Sequence, residues 1–378
     1  MSGAVSPSLL PELAVGDLGS LLAVISGRRT HGRLDARLDT ERQDTLLTWA
    51  AGHGQAEAVR LLIEAGASVG ATDGTGRAAL FIACFEGYLE CARLLQQAGA
   101  AVNQAVSGGF TPLFVACQNN RLECARLLLE ASAAINQAAA DGVTPLFIAC
   151  QKGNLEIARL LLEANAAVDQ ASNIGATPLS IACQKGHVDI ARLLRDAGAA
   201  VNQANNNGST PLFMACQKGH VDIVRLLLET GASVSQASAR GTTPLFMACQ
   251  NGHVECALLL LDAGSSVNQA QIQGATPLHV ACQNNHLGIA QLLLEASAAI
   301  NQTDEQGATP LFMACHQGNL EVAKLLSSYG ASRAAVLPLG TPEEAANREG
   351  HADLAAWLVA GRGWTPLQHL EACPQTGG

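Results

Sequence analysis

The chain contains no run of about 18 apolar residues, the length a helix needs to cross a bilayer, so no membrane span is expected. Its longest leucine stretch, Leu258 to Leu261, is a helix fragment. A secretory leader is not expected either: Met1 to Asp17 carries Pro7, Pro11, Glu12 and Asp17 where a leader needs a basic start and an unbroken apolar core. Charged residues are scarce, at 14%, and the net charge is −10. The basic face that non-specific nucleic-acid binding requires is therefore missing. No Walker loop, dinucleotide fingerprint or HExxH motif occurs, and serines and aspartates have no triad-like setting. No catalytic residue, cofactor or metal is expected. What the chain has in quantity is apolar material, 48% of residues, enough to exclude wholesale disorder.

That apolar material is periodic. Thr-Pro-Leu begins at Thr111, Thr144, Thr177, Thr210, Thr243, Thr276 and Thr309, every 33 residues. The same step backwards reaches Ala78-Ala79-Leu80 and Thr45-Leu46-Leu47, which are degenerate copies. A repeat of this length in fixed register predicts a stacked solenoid, in which each unit buries its apolar face only against its neighbours. It also overrides the two or three globular domains that 378 residues would suggest.

One unit, Thr210 to Thr242, shows the local logic. Thr210 is a good N-cap, and Pro211 stands at the first helical position, where proline is tolerated. Leu212 through Gln217 form a short first helix, ended at Lys218-Gly219-His220. Val221 to Glu229 form a second helix with a broad apolar face. Thr230-Gly231 ends it, glycine suiting a left-handed cap. Ala232 to Thr242 is a loop.

The run Thr-Pro-Leu-Phe-Met-Ala-Cys-Gln-Lys-Gly-His-Val-Asp-Ile-Val-Arg-Leu-Leu-Leu resembles an ankyrin repeat. Loops such as Gly198-Ala-Ala-Val-Asn202 resemble the same family. The resemblance covers roughly residues 40 to 360 in about nine copies. It implies an all-α ankyrin-repeat solenoid of stacked helix-turn-helix units with β-turn finger loops. It further implies binding to another protein through the fingertips and the concave face of the first helices. The family's usual histidine after Thr-Pro-Leu survives only at His279; Phe81, Phe114, Phe147, Phe213, Phe246 and Phe312 replace it, with Ser180 as a third choice. Since that histidine ordinarily bonds within the turn, its loss is expected to soften individual fingers.

The expected organisation is N-terminal capping helices and a basic linker over 1–40, the array over 41–340, a C-terminal capping repeat over 341–362, and a partial motif over 363–378. Eight cysteines, Cys84 through Cys315, share one column. Stacked helices lie about 8–10 Å apart, and a disulfide needs Cα atoms within about 7 Å. Column neighbours therefore cannot pair, and thiols used as small core residues fit a reducing, intracellular compartment, cytoplasmic or nuclear.

Three further patterns invite functional readings. Cys183/His187, Cys216/His220, Cys249/His253 and Cys282/His286 could be metal or nucleophile pairs, or a core thiol followed by a turn histidine; the absence of converging ligands favours the second. Acid–base pairs three apart, Glu90/Arg93 to Glu321/Lys324, read as a solvated outer face that lapses at Leu258 and at Gly288/Gln291. After the Phe column comes an always apolar one, Ile82, Val115, Ile148, Ile181, Met214, Met247, Val280 and Met313, which holds every internal methionine. With Phe it either forms an exposed interaction strip or is buried between first helices.

The partner-binding residues proposed on the strip reading are Phe147, Ile148, Ile181, Phe213, Met214, Phe246, Met247, Val280, Phe312 and Met313, flanked by Lys152, Lys185 and Lys218. The expected function is a non-enzymatic, monomeric protein-binding scaffold. The alternative is a substrate-recruiting adaptor of a larger enzyme complex, such as a ubiquitin ligase, with the tail after Gly361 doing the recruiting.

Overall fold

The structure is a computed structural model that describes residues 34–38, 40–334 and 339–363. Most of the 1–40 segment and nearly all of 363–378 lie outside it, so the expected N-terminal caps and C-terminal partial motif fall beyond the described residues. The chain divides into two compact units. The first contains α1 (Leu46–Gly52), α2 (Ala56–Glu64), α3 (Ala79–Glu86), α4 (Leu89–Gln97), α5 (Pro112–Gln118), α6 (Leu122–Glu130), α7 (Pro145–Lys152) and α8 (Leu155–Glu163). The second contains most of α9 (Pro178–Lys185) and α10 (Val188–Asp196), then α11 (Pro211–Lys218), α12 (Val221–Glu229), α13 (Pro244–Asn251), α14 (Val254–Asp262), α15 (Pro277–Gln283) and α16 (Leu287–Glu295). It ends with α17 (Pro310–His316), α18 (Leu320–Ser328), α19 (Pro342–Arg348) and α20 (Ala352–Ala360). The described residues form no strand; one isolated bridge joins Thr72 and Ala78. The fold is an all-helical repeat.

Within each unit, odd-numbered helices pack on odd-numbered ones and even on even, as α11, α13, α15 and α17 show. The short first helices form because threonine closes their N-termini: Phe114, Phe147, Phe213, Phe246 and Phe312 donate their N–H to the preceding cap hydroxyl at 3.1–3.2 Å. Glycine in the left-handed region ends α7, α11 and α13. The second helices owe their existence to their apolar stripe, with Ile223, Val224, Leu226 and Leu227 buried on α12. The column cysteines are buried, and no disulfide joins any described pair. Burial pushes the Cys91 and Cys256 thiols up to about 11 and Cys315 up to about 12, with the deeper thiols higher still. Thiols raised in this way are inert core residues; Cys124 is instead held below the ordinary thiol range by its hydrogen bond with Cys84.

The fingers are bonded to one another. Ala239 N–H donates to Asn207 O at 2.8 Å, Ile272 N–H to Arg240 O at 3.0 Å and Glu305 N–H to Gln273 O at 3.0 Å. These bonds form beside phenylalanine repeats as well as beside His279, so the expected softening is not seen in finger-to-finger bonding. At the finger bases, the loop asparagines accept from the next repeat: Asn202 Oδ1 from Ser233 N–H at 2.8 Å and Asn268 Oδ1 from Ala299 N–H at 2.7 Å.

Candidate partner-binding groove

Each phenylalanine of the repeat column is buried, with 3–6% of its surface exposed, because it packs between consecutive first helices. Phe312 shows how: it lies against Ala308 and against Ala345 of the following first helix, with Met313 and Leu339 bordering the cluster. The apolar column beside it is largely covered as well. Ile148, Ile181, Met247 and Val280 are buried, and only Met214 and Met313 are half-buried. This corrects the exposed-strip expectation: Phe147, Phe213, Phe246 and Phe312 are core residues before anything else. The first helices sit close enough that a large ring fills the gap between two of them rather than standing free.

What the first helices do leave open is a groove of about 910 Å³ in the second unit. Its floor is Phe213 and Gln217 of α11, Phe246, Met247 and Gln250 of α13, Val280 and Gln283 of α15, and Met313 of α17. Its wall is a set of fingertips: Asn207 and Ser209, Ser238 to Arg240, Gln271 and Gln273, and Asp304 to Gln306. Five of the sequence-proposed residues, Phe213, Phe246, Met247, Val280 and Met313, therefore meet there. Met214, Ile181, Phe312, Lys185 and Lys218 are not on its lining, while Phe147, Ile148 and Lys152 belong to the first unit. Lys152, Lys185 and Lys218 are exposed at first-helix C-termini, where positive charge suits the helix dipole.

The groove also contains a feature that sequence reasoning passed over. Glutamine follows the column cysteine in six successive repeats, at Gln118, Gln151, Gln184, Gln217, Gln250 and Gln283. In the sequence, a polar residue repeated in register is indistinguishable from a solvated column. Gln217 and Gln283 are half-buried and Gln250 is exposed. Among the described residues their three carboxamides make no hydrogen bond. Charge is confined to the wall: Arg240 on one finger, and Asp304 and Glu305 two fingers further on.

Three of the four Cys-x-x-x-His pairs resolve as structural. His220 Nε2 meets Gln184 O at 3.2 Å, His253 Nε2 meets Gln217 O at 3.3 Å and His286 Nε2 meets Gln250 O at 3.2 Å. Each ring closes the C-terminus of the preceding repeat's first helix. Asn319 does the same with Cys282 O at 2.8 Å and Arg121 with Phe85 O at 3.2 Å. No group of three or more His, Cys, Asp or Glu among the described residues could hold a metal ion.

On the outer face Arg93–Glu90, at 3.6 Å, is exposed and contributes little, while Lys324, at 2.7 Å from exposed Glu321, is half-buried. Arg225 reaches Glu255 of the next repeat at 3.6 Å, the shorter Asp222 being its own-helix neighbour. Where the pairs lapse, Val254, Leu258 and Leu287 are 41–48% exposed.

Paired helices, bonded fingers and a floor of first helices define an ankyrin-type interaction fold. The family described as Ankyrin repeats (3 copies) matches residues 19–106, 47–139, 113–205, 166–238, 197–271, 232–304 and 266–336, and the chain belongs to it. The chain is similar to the human ASB11 ankyrin repeat domain, a solved structure, at 31% identity and a TM-score of 0.54, over 58% of this chain and 98% of that one. No curated protein matches it. No helix among the described residues is long and apolar enough to cross a membrane.

Proposed function

We propose that the chain is a non-enzymatic scaffold whose second unit holds a partner protein in the groove between fingers and first helices. The observation that carries this is the set of carboxamides that bond to no other described residue on a partly apolar floor, faced by fingertips that differ from repeat to repeat over a constant core. Helices and bonded fingers hold these groups in place beforehand, so a partner loses little entropy in ordering them. Buried thiols that form no disulfide among the described residues support residence in a reducing compartment. The adaptor reading depends on the tail after Gly361, most of which lies outside the described residues.

The test is capture of native partners by the full chain and by a variant carrying Gln250→Lys and Met313→Lys. The variant is expected to keep the far-ultraviolet circular dichroism and thermal unfolding of the parent while losing its partners. Retention of every partner by a folded variant would move the site to the outer helices.

A further inference from the structure

We infer that the occupant of this groove is a polypeptide segment in the polyproline II conformation, with one residue in three facing the glutamine ladder. The inference rests on the groove being a partner-binding site and names what it takes.

Gln217, Gln250 and Gln283 stand at the same place on three consecutive first helices. Each carries one carbonyl acceptor and two amide donors, and none of these is used within the described residues. Carboxamides that bond to no other protein group and line a groove favour a ligand with exposed backbone amides. The spacing of the ladder then discriminates among backbones. Neighbouring packed helices lie about 8–10 Å apart. A polyproline II helix has three residues per turn and rises about 3.1 Å per residue, so it repeats about every 9 Å. It has no internal hydrogen bonds, and its carbonyls are free to be read. An extended strand presents one face every two residues, at about 7 Å, and an α-helix turns every 5.4 Å or so with its backbone already paired. Only the first conformation offers each glutamine the equivalent group in the same orientation.

The rest of the lining fits the same ligand. Half-buried Met313 supplies apolar surface beside the carboxamides, with only the edges of buried Met247 and Val280 reaching the lining, and a thioether adapts to irregular rings and branched side chains. Arg240 and Glu305 are exposed and have no ion-pair partner among the described residues. They are two fingers apart, about 18 Å if each step is about 9 Å, which is six residues of this helix. The segment should therefore carry an acidic and a basic side chain six positions apart, in a background of proline and medium-sized apolar residues.

Fluorescence anisotropy with the full chain tests this. The probe is a labelled twelve-residue peptide with proline at two of every three positions and leucine at two of the four third positions, the other two being charged. Glutamate and lysine stand six positions apart. A shuffled peptide of identical composition breaks the period, and an alternating leucine–threonine peptide presents a strand. The period-three peptide should bind tightest, with a loss of about tenfold on shuffling and of about tenfold or more in Q217A/Q250A/Q283A, whose circular dichroism stays that of the parent. Equal binding of the shuffled peptide, unchanged affinity in the triple variant, or no saturation by the period-three peptide at about 1 mM would each overturn the inference. The two levels separate cleanly. If Gln250→Lys with Met313→Lys still abolishes partner capture, or the strand peptide binds and is displaced by those changes, the groove stands and only the conformation falls. If capture is untouched as well, the groove reading falls with it.

Discussion

His279 is the single histidine kept at a position where six other repeats carry phenylalanine, and the structure shows what it adds. Its Nδ1 accepts from Thr276 N–H at 3.1 Å, and its Nε2 lies 3.0 Å from Ala308 O, so a neutral ring protonated on Nε2 satisfies both. Burial holds its pKa below the ordinary 6.5, against the opposing pull of the Ala308 carbonyl, Asp304 and the Gln302 backbone. The unfolded chain takes up a proton at this ring as pH falls through 6.5, while the folded chain resists until lower pH. The stabilisation is therefore complete above 6.5 and declines below it, down to the depressed folded value. Urea unfolding at pH 7.5 and at pH 5 should show a larger loss for the parent than for His279→Phe; equal losses would remove His279 from the pH response. Asp73 is a second residue of this kind. Burial would raise its carboxyl, but hydrogen bonds from Arg77 and Thr75 overcome that and hold it below the usual range. Nothing in the sequence distinguished Asp73 from the surface acids, because its status depends on the finger's own backbone N–H groups closing round it.

At the scale of the element, the repeat's helices and turns were readable from residue chemistry. Threonine caps, proline at the first helical position, glycine stops and the apolar stripe of the second helix are local signals, and each appears where the spacing placed it. Exposure was harder to read. Phenylalanine one turn into a first helix suits a groove and a core equally well, and only the distance to the next helix decides between them. The role of the turn histidine was also hidden, since its acceptor lies 36 residues away. That contact makes a sharp prediction. Gly219 has φ +74°, and a Cβ there would stand 2.5 Å from His253 Nδ1, whereas Gly264 has φ +86° with nothing near. Gly264→Ala should lose about 1–2 kcal/mol from the left-handed backbone alone. Gly219→Ala should lose more, and His253→Ala in the Gly219→Ala background should recover the excess, as read from denaturant midpoints. Equal losses at the two glycines would show that the ring is not a fixed part of the stack.

Across the whole molecule, a chain of near-identical units builds its core from columns, and whatever varies along a column is free to serve binding. The period gave a stacked solenoid, and family membership was legible from the residues of the Thr-Pro-Leu run and its loop. The groove was legible only in part: its methionine and valine floor stood out, while its glutamines did not, since a polar residue repeated in register looks like solubility until the neighbouring columns are seen to be buried. The competing surface is the outer helices, where Val254, Leu258 and Leu287 lie open. Gln250 and Leu258 belong to the same repeat, one on the first helix and one on the second. A photo-crosslinking side chain at each in turn, with native partners present, asks the question directly. Crosslinks from position 250 and none from position 258 are the result expected of a partner held between fingers and first helices. Crosslinks from 258 with none from 250 would contradict it.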